Sequence, residues 1–303
     1  MSKLVIYMRQ KIQESQEDNQ MKIVLAGAYG HLGSDILKAL ESRGDEIIAL
    51  DFEQRPIPLT GNGKVIFKKC DVTKKEMLKG LLDGADLVIS TVGLTKASKE
   101  VTSYDIDLNG NLNLLNEASI SNVPKFIYIS VIHADEHPKI PLLDAKAKFE
   151  SALKESGLEY IIYRPTGYFY DIVHVLKPMV DKGAINLLSG KPGVANVIAT
   201  EDFADYIASH LDEKNKTISI GGTETYNYDE IAKMCFESAG KPCVIKRAPA
   251  FIFDFLIFIN ALKKTGKADI IKFSKFTLTG NLVGDVKYGK QSFSKYISEN
   301  FKN

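Results

Sequence analysis

The chain has 303 residues, and its 39 basic side chains nearly balance 38 acidic ones, leaving a formal net charge of +1. Over the whole molecule this balance suggests neither nucleic acid nor an anionic membrane and leaves a small-molecule substrate or another protein as the expected partner. The length suits a large α/β domain with a smaller one attached.

The opening "MSKLVIYMRQKIQESQEDNQ", residues 1–20, has no apolar core long enough for a signal peptide and reads as a polar extension. Cys70, Cys235 and Cys243 are scattered, odd in number and without paired zinc spacing, so a reducing, cytoplasmic setting is expected. From Met21 onward the apolar runs "KIVLAG", "EIIALD", "KVIFKKCD", "ADLVIST", "KFIYISV" and "EYIIYRP" alternate with helix-length amphipathic stretches. Such runs, bounded by turn residues, form parallel strands covered on both faces, so the expected fold is α/β with a doubly wound parallel Rossmann sheet over 21–165. The helices are expected over "HLGSDILKALESRG", "TKKEMLKGLLDG", "TSYDIDLNGNLNLLNEASISN" and "PLLDAKAKFESALKESG".

After the first strand, "VLAGAYGHLGSDILKAL" places Gly27, Gly30 and Gly33 in a strand-to-helix turn, with Tyr29, His31 and Leu32 between them. Glycines there permit a tight turn and close approach to a pyrophosphate, which the helix N-terminus stabilises. Asp51 ends the second strand, where an acid can bond the ribose hydroxyls of a dinucleotide and repel a 2′-phosphate. That favours NAD, while Arg55 and His31 are basic residues that keep NADP open. Asp71, with Val72 beside it, ends the third strand, either toward the adenine edge or as a helix N-cap. Thr91, Val92 and Gly93 follow the fourth strand and should line the crevice at the carboxyl ends of the strands.

Ser130 ends the fifth strand. "HADEH", His133 to His137, has two histidines four apart, but Pro138 argues for a loop and no third ligand is identifiable, so no metal is expected. Lys146 and Glu150 are four apart on the next helix, which allows an exposed salt bridge. After Pro165 the pattern loosens, and a smaller α/β substrate-facing domain is expected over 166–303, with a later strand returning to the main sheet. Tyr168, Phe169 and Tyr170 should face the nicotinamide there, as pocket lining or as a proton donor. Thr200 and Asp202 open a helix as N-caps. "APAFIFDFLIFINAL", Ala248 to Leu262, is too short to span a bilayer. It is expected as a buried helix or a homo-oligomer contact, with an interfacial membrane helix as the other reading.

Taken in this order, the glycine loop, Asp51, Asp71, "STVG", "FIYISV", the Lys146 helix and "YRPTGYF" resemble the atypical short-chain dehydrogenase/reductase superfamily, specifically its NmrA-like group. The resemblance runs from about Met21 to Lys241. The stretch from "FIYISV" to "YRPTGYF" looks most like the branch containing photosystem assembly factors and divinyl chlorophyllide reductases. It implies a nicotinamide dinucleotide, a substrate-bonding serine at Ser130, and a lysine at Lys146 that grips the nicotinamide ribose. The tyrosine of the superfamily, four residues before the lysine, is Leu142 here, and Leu142 cannot pass a proton. The expected function is hydride transfer to or from a carbonyl or conjugated alkene, with Tyr168 among the candidate donors. The alternative is cofactor binding without turnover, as a redox sensor, regulator or assembly factor.

Overall fold

A computed structural model describes residues 20–94, 101–262 and 267–301. All of the polar extension except Gln20 lies outside the described residues.

Eight parallel strands form the central sheet: β1 (Lys22–Ala26), β2 (Glu46–Asp51), β3 (Lys64–Lys69), β4 (Leu87–Ser90), β5 (Lys125–Ile129), β6 (Glu159–Pro165), β9 (Lys216–Gly221) and β13 (Val286–Lys287), in the order β13-β9-β6-β5-β4-β1-β2-β3. Alternate residues go to opposite faces, as the two-residue period of a strand requires. On β5, Ile127 and Ile129 pack with helices α1 (His31–Ser42) and α5 (Thr200–Ser209), whereas Phe126 and Tyr128 pack with α2 (Asn111–Ile120) and α3 (Pro141–Glu155). A third core, built on Phe169, Phe236 and Phe293, joins α4 (Phe169–Asp181), α6 (Tyr228–Ser238) and α9 (Phe293–Phe301). Short strands complete that smaller part: β7 (Ile185–Leu188) with β11 (Ile245–Ala248), and β8 (Val194–Ala195) with β10 (Tyr226–Asn227) and β12 (Asn281–Leu282).

Four expectations are corrected. The helix expected over "TKKEMLKGLLDG" is only a 3-10 turn, Lys75–Met77, because Gly80 takes a φ of +70° and its amide donates to Glu117 on α2. The helix expected from Thr102 begins as a π-helix, Tyr104–Gly110, and becomes α-helical only at Asn111. Neither Thr200 nor Asp202 caps α5: its N-cap is Ala199, Thr200 donates to Asp35 of α1, and Asp202 accepts from the amides of Lys290 and Gln291. Helix α7 (Ala250–Leu262) has no buried residue. It packs on α8 (Lys267–Thr279), which lies between it and both β7 and α3, so the apolar run is an outer layer rather than core.

Candidate functional site

A crevice forms where the strand order reverses, between β1 and β4. Gly27 follows β1 with a φ of +77°, and a methyl on it would fall 2.5 Å from the Thr91 hydroxyl. A methyl on Gly33 would fall 1.9 Å from the Gly27 carbonyl oxygen, so only glycine lets α1 start this close to the turn. Thr91 donates to the carbonyls of Ala26 and Gly27, tying the end of β4 to the turn. Gly30 has an ordinary φ of −66°, and no side chain caps α1. The first-turn amides of His31, Leu32 and Gly33 and the helix dipole therefore favour an anion.

The side chains of Tyr29 and Leu32 point inward, with Tyr29 set edge-on to Phe67 at 5.7 Å, so what they offer a ligand is backbone. Asp51 stands at the end of β2 and accepts from the amides of Tyr29 at 2.8 Å and Phe52 at 2.7 Å. Its carboxylate thus fixes the glycine turn as well as carrying charge to the crevice. Asp71 accepts from the amide and hydroxyl of Thr73 and so closes a turn. Val72 beside it is buried in the α2 face of the core.

Opposite, Lys146 is buried, and its ammonium lies 3.1 Å from Asp107 Oδ1, 3.4 Å from the Tyr128 hydroxyl and 3.3 Å from the Ile129 carbonyl. Burial alone would lower the lysine's pKa, but the oxygens of Tyr128 and Asp107 more than offset it, and the ammonium stays charged. Glu150, the i+4 partner the spacing offered, pairs instead with Arg164 and with Lys154. Val92 leads from β4 to Gly93, where a methyl would lie 2.9 Å from Asp107 Oδ1 and 3.5 Å from Lys146 Nζ. The missing side chain at Gly93 therefore lets the chain that leaves β4 pack directly against this ion pair. Asn111 braces the same corner, donating to the carbonyls of Asp107 and Val92 and accepting from Ser90.

The structure brings Lys146 to the crevice but engages the other two catalytic candidates elsewhere. Ser130 is buried and donates to Glu150, which Arg164 holds through both carboxylate oxygens. Tyr168 packs on the α1 and α5 face of the sheet, its ring stacked on Phe203, and burial pushes its phenol well above the usual range. Phe169 is not pocket lining, because it packs on Phe293 and Tyr296 in the third core. Tyr170 is exposed and stacks on His31 at 3.9 Å, over the start of α1. In "HADEH", His133 meets Glu136 and the Asn281 carbonyl, and both His133 and His137 lie against the Phe276 ring.

Sequence reasoning missed Asp107, Asn111 and Tyr128. The signal available was the acid and the amide four apart in "DIDLNGN", which share one face on a helix and are too polar for a buried one unless paired.

Residues 27–214 match the NAD(P)H-binding family. The chain belongs to that family. Membership agrees with the motif resemblance to the atypical short-chain dehydrogenases. Among curated relatives, the chain is 25% identical over 235 residues to a photosystem II assembly factor of Cyanophora paradoxa, covering 76% of this chain and 72% of that one. It is 29% identical to a divinyl chlorophyllide a 8-vinyl-reductase of Cucumis sativus, over 78% of this chain and 61% of the other. Among solved structures, an NADPH-dependent quinone oxidoreductase of Escherichia coli in complex with NADPH superposes with a TM-score of 0.67 at 16% identity, over 92% of this chain and all of that one.

The crevice fits a nicotinamide dinucleotide on its own terms. The glycine turn offers uncapped amides to a pyrophosphate. Lys146, whose ammonium is anchored 3.1 Å from buried Asp107 Oδ1, stands beside Gly93 at the end of β4.

Proposed function

We propose that the protein is an NAD(P)-dependent oxidoreductase that transfers hydride to or from a small molecule, with conjugated acceptors such as quinones and enones preferred over simple carbonyls. The carrying observation is the buried Lys146–Asp107 pair beside Gly93, with no accessible phenol at the lysine among the described residues. Tyr128 is near enough, but it is fully buried, and that burial holds its phenol protonated despite the ammonium beside it. A simple ketone needs a proton as it gains hydride, whereas a conjugated acceptor spreads the new charge over its π system and can take the proton from water. When bound, the reduced nicotinamide supplies the hydride.

The chain's own residues bind and orient. Lys146, held in place by Asp107, grips the ribose next to the nicotinamide, the α1 amides hold the pyrophosphate, and Thr91 keeps the turn in place. Asp51 sets a negative charge where a 2′-phosphate would come, so NADH is favoured over NADPH. The names of the similar quinone oxidoreductase and vinyl reductase support the choice of acceptor.

A second reading, cofactor binding without turnover, draws on the commitment of Ser130 to Glu150 and on the assembly-factor name of a relative. Calorimetric titration with the reduced and oxidised cofactors, followed by cofactor consumption with a quinone, an enone and a simple ketone, separates the two. Tight binding with turnover of the quinone or enone is expected. Tight binding with no acceptor consumed would favour the second reading, and no binding at all would overturn both.

A further inference from the structure

Of the 14 large apolar side chains that stand exposed among the described residues, seven lie on α7 and α8. Phe251, Phe255, Phe258 and Leu262 form the ridge, exposed by 69%, 62%, 59% and 66%. Their spacing places all four on one side of a helix. With 13 residues, α7 is about 20 Å long at ~1.5 Å per residue, and no helix among the described residues is long and apolar enough to cross a membrane.

The one acid of α7, Asp254, is neutralised by Lys275 of α8 at 2.6 Å. In sequence, α7 runs directly into Lys263 and Lys264, and Lys267 opens α8, with no acid before Asp269. An uncharged aromatic ridge is therefore followed in sequence by a local excess of lysine, in a chain whose overall charge is only +1.

We infer that α7 docks on a lipid bilayer with anionic headgroups, lying in the plane of its interface. An aromatic ridge followed in sequence by lysines matches the two terms of interfacial binding, apolar burial among the acyl chains and attraction to negative headgroups. A second copy of the chain fits less well. With ~150–250 Å² for each aromatic side chain, the ridge and its flanks expose on the order of 600 Å², short of the roughly 800 Å² that each partner gives a stable dimer. The helix also stands outward on α8, a shape that a soft bilayer accommodates more readily than a rigid surface does.

The test is sedimentation of the full chain with vesicles of phosphatidylcholine alone and of phosphatidylcholine with phosphatidylglycerol, alongside its molar mass by light scattering. The chain is expected to pellet with the anionic vesicles. Phe255→Glu with Phe258→Glu should weaken that binding at least tenfold, and Lys263→Gln, Lys264→Gln and Lys267→Gln together by several-fold. The two phenylalanine substitutions, at exposed positions, should leave the urea unfolding curve in place. Failure to pellet with either vesicle would overturn the inference. So would a wild-type dimer that the glutamates convert to monomer without any vesicle binding, which would make the ridge a self-contact. Equal binding to neutral and anionic vesicles would overturn the role of the lysines.

Discussion

On the β1 side of the crevice, Gly27 and Gly33 act by what they lack, since any side chain would strike Thr91 or the turn's own carbonyl. On the β5 side, Lys146 acts through Asp107, a fully buried partner supplied by the π-helix that precedes α2. The first half is local backbone geometry, complete within a few residues of sequence. The second depends on charges that meet only when β4, the π-helix and α3 have packed. Damage to the first should therefore be steric and tied to ligand binding, and damage to the second should be electrostatic and tied to folding.

Lys146→Met tests the second half and carries the largest expected effect. It would leave the buried carboxyl of Asp107 without its ion-pair partner, at a cost of about 3–5 kcal/mol in urea unfolding. Adding Asp107→Leu should restore most of that loss. A cost under ~1 kcal/mol for the single change would mean the pair is not a structural unit.

Gly33→Ala tests the first half. Its methyl would overlap the Gly27 carbonyl, so about 1–3 kcal/mol of stability should go, along with at least tenfold in cofactor affinity by calorimetry. Gly30→Ala, at ordinary φ and with its nearest contact at 3.2 Å, should be far milder. Equal effects would break the distinction between these glycines.

Ser130→Ala removes one donor to Glu150 while Arg164 remains, so a loss of about 1–2 kcal/mol in stability is expected with cofactor affinity unchanged. Loss of cofactor affinity in that variant would move Ser130 from the scaffold into the site. Asp51→Ser should shift the NADH to NADPH affinity ratio toward NADPH by roughly tenfold, about 1.4 kcal/mol.

The smallest effect is one of pH. Asp135 is held below the usual carboxylate range by its hydrogen bond from Arg164. Asp71 is also lowered: burial would raise it, but the bonds from Thr73 and Lys74 outweigh that. A lowered folded pKa adds stability that is present above the unfolded value and is lost as pH falls through the folded one. Melting temperature should thus decline modestly below the ordinary carboxylate range, and a rise there would contradict these assignments.

The sequence made the sheet and the glycine side legible because the apolar runs and the turn chemistry are local signals. Asp107 and Tyr128 were hidden because each reads as an ordinary helix or strand residue until Lys146 arrives beside it. "TKKEMLKGLLDG" misled because Leu78 and Leu82 keep helical spacing while Gly80 turns the backbone left-handed between them. The apolar run of α7 gave no means of telling a buried helix from an outer one, since composition sets hydrophobicity and the placement of α8 sets exposure.

The most direct test of the central claim is a single turnover. The protein is loaded with one equivalent of reduced nicotinamide carrying deuterium at the transferable position, mixed with a conjugated enone, and the product read by mass spectrometry. A saturated ketone with deuterium on its β-carbon, formed at up to one equivalent and lost in Lys146→Met with Asp107→Leu, is the expected result. Cofactor that stays bound and unoxidised beside quinone and enone alike would contradict the reductase account.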